Sequence, residues 1–78
     1  MKLTNAKVGE FYQTKKGIAE VAIIFDADDQ NMFTIDVIIN NELRIYNSSG
    51  SLNSARTDRD DWEIQFQITK EENPEYFL

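Results

Sequence analysis

Apolar residues along the chain recur at every second position. In "DDWEIQFQI", residues 60–68, Trp62, Ile64, Phe66 and Ile68 alternate with Glu63, Gln65 and Gln67. A period of two is the mark of a half-buried strand. The same pattern runs through 10–14, through 18–25 (Ala19, Val21, Ile23, Phe25), through 32–40 (Phe33, Ile35, Val37, Ile39) and through 42–47 (Leu43, Ile45). β-Branched and aromatic residues dominate these runs, as a pleated, half-buried surface prefers. The pattern predicts an all-β domain of five antiparallel strands, folded as a strongly bent sheet or a small SH3-like barrel. The strands occupy about 8–69 of a single domain spanning 1–78, and a short C-terminal turn or tail covers 70–78.

Turn residues set the expected registers. "TKKGI" fits a three-residue loop, Lys15-Lys16-Gly17, with glycine at the left-handed position. That loop pairs Phe11 with Val21 inside and Tyr12 with Glu20 outside. In "IINNEL" a two-residue Asn40-Asn41 turn would place Leu43 opposite Ile38, whereas an odd loop or a bulge pairs Ile39 with Leu43 and Val37 with Ile45. The odd loop is therefore expected. "DADDQN" at 26–31 is a wider polar turn, and the polar stretch from 51 to 61 crosses an end of the sheet. The second face is not wholly polar: Ile18, Ala22, Ile24, Met32 and Ile38 fall on it. Asn73 and Pro74 can start a single helical turn that lays Tyr76, Phe77 and Leu78 over those aliphatics; the rival reading is that these three residues dock a partner.

Size and composition narrow the chemistry. A chain of 78 residues makes one thin-cored domain. It has no cysteine and no histidine. That removes disulfides, thiolate or imidazole zinc sites, and Ser-His or Cys-His nucleophiles. Its three glycines are too far apart for a phosphate loop. "DADDQN" starts like a calcium loop with Asp26 and Asp28, but Asn31 and Val37 occupy the positions that demand glycine and a bidentate glutamate. No cofactor and no metal are expected, and the chain is not expected to be an enzyme. The first 25 residues hold no leader-like apolar run, and no run is long enough to span a bilayer. The expectation is a cytoplasmic protein without membrane contact, monomeric or weakly dimeric.

The net charge is −6 and unevenly spread. Lysines gather near the start, and acids gather between 58 and 75. Binding to nucleic acid is mostly neutralisation of phosphate, so this balance points away from it; the acids either confer solubility alone or meet a protein partner with a basic surface.

The order "VGEFYQTKKGIAEV", then "FTIDVIINNELRIYNSSGSLNSARTDRDDWEI", resembles a group of short phage and prophage all-β proteins. The matching residues are Val8, Gly9, Tyr12, Thr14, Gly17, Val21, Glu42, Tyr46, Gly50 and Asp61-Trp62, with Glu20 replacing an often small residue. The resemblance spans 8–68, consists mostly of hairpin residues, and brings no activity or catalytic residue with it. The opening hairpin is also similar to that of SH3-like barrels such as KOW domains, which implies RNA or ribosomal partners.

Two functional readings follow. The first is a small acidic, non-enzymatic protein-binding module of phage type that modulates or inhibits a host protein. In its sharper form it is a nucleic-acid mimic of the kind that blocks host defence, as anti-CRISPR proteins do. Asp58, Asp60, Asp61, Glu63, Glu71 and Glu72 would stand in for phosphates, with Gln65 and Gln67 adding hydrogen bonds. The alternative is a nucleic-acid-binding barrel using Lys2, Lys7, Lys15, Lys16 and Arg44, with Tyr12 and Tyr46 as outward stacking platforms. A third role, assembly through unpaired strand edges, needs edges left open.

Overall fold

The computed structural model describes residues 1–25, 34–53 and 56–77. Five strands, β1 (Phe11–Thr14), β2 (Gly17–Ile24), β3 (Thr34–Ile39), β4 (Glu42–Asn47) and β5 (Phe66–Ile68), form one antiparallel sheet in the order β4-β3-β2-β1-β5. The domain is all-β as the alternation predicts. The sheet is open, with β4 and β5 at opposite edges. Expectations for "DADDQN", Asp26, Asp28, Asn31, Met32, Phe33 and Leu78 lie outside the described residues.

Both described hairpins close with two-residue turns, and this changes which side chains are inside. Thr14 stands opposite Gly17, so Tyr12 faces Ala19 and Phe11 faces Glu20. The Thr14 hydroxyl fixes this shorter loop. It accepts from the amides of Lys16 and Gly17 and donates to the Gly17 carbonyl. Gly17 is the first residue of β2, with φ of 142°, rather than part of the loop. Tyr12 is therefore buried and Phe11 lies on the opposite face, the reverse of the expected parity.

The Asn40-Asn41 turn has φ of 53° and 65°, the paired left-handed geometry whose twist matches the strands it joins. It sets Ile38 opposite Leu43 and Val37 opposite Arg44, so the odd loop expected from the sequence does not form. The Asn40 side-chain amide donates to the Lys16 carbonyl at 3.0 Å and ties the two turns together.

A third departure lies in β2. Its pairing with β3 slips between Val21 and Ile23. The extra residue inverts the alternation beyond it, so Ile24 rather than Ile23 packs against the core, while Ile23 and Phe25 stand on the other face.

Ala19, Val21, Ile35, Val37, Ile39, Tyr12 and Tyr46 supply the sheet's inner face. Irregular chain covers it. Leu3, Leu52, Trp62 and Ile64 complete the cluster. Residues 60–68 are thus not one strand. Arg59–Trp62 is a 3₁₀ turn, and only Phe66–Ile68 joins the sheet. The cover is stitched by main-chain bonds from Leu3 to Ser48, Asn53 to Ile45 and Ile64 to Gly50, each 2.8–2.9 Å. The Met1 amine donates to the Ile64 carbonyl at 2.9 Å. Buried hydroxyls have partners: Tyr46 donates to the Trp62 carbonyl and Tyr12 to the Glu10 carboxylate. Burial, with the Glu10 hydrogen bond second, pushes Tyr12 up to about 12. Burial also raises Tyr46, against a smaller opposing pull from Arg44.

Candidate binding surface

The outer face follows from the registers. One lateral row runs Leu43, Ile38, Glu20, Phe11, Ile68 across all five strands. The next row is Ile45, Asp36, Ile23. On the other side of the first row lie Ile18, Gln13 and Phe66. Much of this face is apolar and open: Leu43 is 52% exposed, Phe66 54%, Ile23 and Phe25 48% each, and Ile45 45%. A half-exposed large side chain offers roughly 100 Å², so these residues together present on the order of 500 Å² of apolar surface, distributed across the face.

Among the described residues, the Phe11–Ile68 end of the first row is packed by the C-terminal turn. Pro74–Phe77 forms a 3₁₀ turn. It sets the Tyr76 and Phe77 rings 6.1 and 5.3 Å from the Phe11 ring, the second edge-on. Ile68, Phe11's cross-strand neighbour, is buried there, apart from the main core.

Two carboxylates stand inside this open area, Glu20 on β2 and Asp36 on β3. All eight lysines and arginines are among the described residues. The ion pairs among them join Lys16 and Arg56 to Asp58, and Arg44 to Glu42. None reaches Glu20 or Asp36.

The acidic residues singled out from the sequence lie on different elements. Asp58 is occupied internally. It accepts from Arg56 at 2.9 and 3.2 Å and from the Trp62 indole at 3.1 Å. The Arg56 bonds, then the Trp62 bond, hold its carboxyl well below the usual carboxylate range. Asp60 and Asp61 sit in the 3₁₀ turn, and Glu63 accepts from the Ser51 hydroxyl at 3.3 Å. This group stands by β4, because Trp62 packs against Tyr46 and Arg44. Glu71 and Glu72 follow β5, the opposite edge, where Glu72 accepts from Thr69. Gln65 is exposed just before β5, and Gln67 turns inward to donate to Glu10 at 3.0 Å.

Of the alternative set, Lys2, Lys7 and Lys15 are exposed. Tyr12 and Tyr46 are 3% and 0% exposed, so neither ring offers a face for base stacking. Lys16, Arg44 and Arg56 instead gather 4.8–5.6 Å from the centre of the Trp62 ring. Sequence reasoning missed this cluster because its members are far apart in the chain. It borders a recess of about 280 Å³ lined by Leu43, Arg44, Ile45, Leu52, Asn53 and Arg56. Its cations already have Glu42 and Asp58 as counter-ions, so it reads as a structural clasp.

The β4 edge is also self-satisfied in part. The Ile45 carbonyl accepts from Asn53 and the Leu43 carbonyl from the Arg44 side chain. Such blunting discourages strand addition. Among the described residues, no three potential metal ligands cluster and no helix is long and apolar enough to cross a membrane. Comparisons with protein-family models, with curated proteins and with solved structures find no match.

Proposed function

We propose that this protein is a small non-enzymatic module that binds another protein through the open face of its sheet. One observation carries the reading: the sheet's two faces are treated differently. The inner face is sealed by four separate covering residues from irregular chain, Leu3, Leu52, Trp62 and Ile64. The outer face keeps five large apolar side chains about half exposed. Burying such area is the main driving force of protein association, and exposing it costs solubility unless a partner covers it. The acidic balance of the chain supplies that solubility and favours a partner of basic character.

Photo-crosslinking tests it. A benzophenone amino acid replaces Leu43 or Phe66 on the open face, and Asp60 or Glu71 elsewhere. In lysate of the source cell, the first two positions are expected to give one adduct of common mass. Adducts from Asp60 and Glu71 alone would move the contact to the acidic surface and refute this reading.

A further inference from the structure

Resting on that reading, we infer that the open face takes a cationic amphipathic helix, with leucine-like side chains against Leu43, Ile45, Ile38 and Ile23 and lysine or arginine against Glu20 and Asp36. The chemistry of the face selects this occupant. Glu20 and Asp36 lie in the midst of the apolar positions and have no cation of their own. Covering them with a purely apolar surface would desolvate two carboxylates without compensation. A second copy of this chain, related by a two-fold axis, would bring four carboxylates toward one another. Anionic lipid and nucleic acid would meet those carboxylates on a molecule of charge −6. A cationic protein segment turns the same pair into charge-assisted contacts.

The spacing also suits a helix. Glu20 is directly opposite Ile38, two residues from Asp36 on β3, so the two residues are diagonal cross-strand neighbours, a relation that sets backbone positions about 7–8 Å apart. Basic residues at i and i+4 of a helix have Cβ atoms about 5–6 Å apart and long flexible stems, which spans that gap. An apolar stripe at i, i+3, i+4 and i+7 then lies across β2, β3 and β4.

The test uses a fluorescent synthetic helix of about 16 residues, with leucine on the stripe and lysine on both flanks. Anisotropy is measured at physiological salt, and isotope-edited NMR locates the contact. The double variant Glu20→Lys with Asp36→Lys is expected to weaken binding at least about tenfold, with a wild-type circular dichroism spectrum as the folding control. Reversing Glu71 and Glu72 is expected to change it less than about threefold, as distant rim charges do. The same peptide with glutamate for lysine is expected not to bind.

Binding indifferent to Glu20 and Asp36, or equal binding of the glutamate peptide, would overturn the inference. So would a stable dimer dissociated by Leu43→Glu, which assigns the face to a second copy, or capture by anionic vesicles. If the lysine peptide fails while the Leu43 crosslink still forms, the helix inference falls and the binding-module reading stands. If both fail, both fall.

Discussion

The contrast between a sealed and an open face depends on how firmly the cover is held, and Gly50 is the place to test that. Gly50 has φ of 89°, donates to the Asn47 carbonyl and accepts from the Ile64 amide. A Cβ at Gly50 would collide with the Met1 carbonyl oxygen and lie 3.0 Å from its carbon. Gly50→Ala therefore has two costs. Left-handed backbone with a side chain costs roughly 1–2 kcal/mol. Moving Met1 aside loses its bond to Ile64, about 1.5–3 kcal/mol for a charged donor. If Leu3, 1% exposed, is drawn out too, another roughly 2 kcal/mol of apolar burial is lost. The expected loss is about 2.5–5 kcal/mol with Met1 alone displaced and about 4.5–7 kcal/mol with Leu3. A domain of this size holds only about 4–12 kcal/mol in total. Urea melts followed by circular dichroism and Trp62 fluorescence measure it. Because the substitution acts through the Met1–Leu3 segment, combining it with Leu3→Ala is expected to fall short of additivity by about 1 kcal/mol or more. A loss under about 1 kcal/mol, or full additivity, would show that the segment does not sit against Gly50 and that the inner face is not sealed this way.

Other consequences are simpler to check. Asn41→Gly keeps the left-handed turn and is expected to stabilise by a few tenths of a kcal/mol, whereas Asn41→Val is expected to cost about 1–2 kcal/mol by thermal melt. Phe77→Ala removes the edge-on contact with Phe11 and is expected to cost about 1 kcal/mol, with a new NMR environment at Ile68. Raised tyrosine pKa values make stability fall with rising pH. The unfolded chain ionises near the ordinary 10.0, while folded Tyr12 stays neutral up to about 12, so alkaline unfolding is expected between those values and Tyr12→Phe should lessen it. Asp58 works in the opposite sense. Its lowered pKa adds stability above the ordinary 3.8 that is lost as pH falls below it, and Arg56→Gln should flatten the acid limb of a stability profile.

The all-β class and the strand-forming runs were legible because alternation of apolar and polar residues is a local property with period two, whereas the order β4-β3-β2-β1-β5 was not. Position within the alternation was not. In the first hairpin the choice between a two- and a three-residue loop is made by the Thr14 hydroxyl, and it decides whether Phe11 or Tyr12 is inside. In the second, keeping Leu43 and Ile45 in the core favoured an odd loop, yet Arg44 and Tyr46 go inward because Trp62 gives them a stacking ring and a carbonyl acceptor. Composition cannot announce such partners, since they lie 16 or more residues away.

The candidate surface shows the same division. By itself the sequence determined an acidic, all-strand domain without cysteine or histidine, because composition and periodicity are read residue by residue. It also placed apolar residues at Ile18 and Ile38 on the second face. Only the tertiary structure decided that Ile23, Phe25, Leu43, Ile45 and Phe66 join them, that Asp58 and Gln67 turn to internal partners, and that Glu20 and Asp36 stand unpaired among the exposed aliphatics. Turn length and a single bulge in β2 invert the facing of every residue beyond them, and those are settled by packing against distant segments.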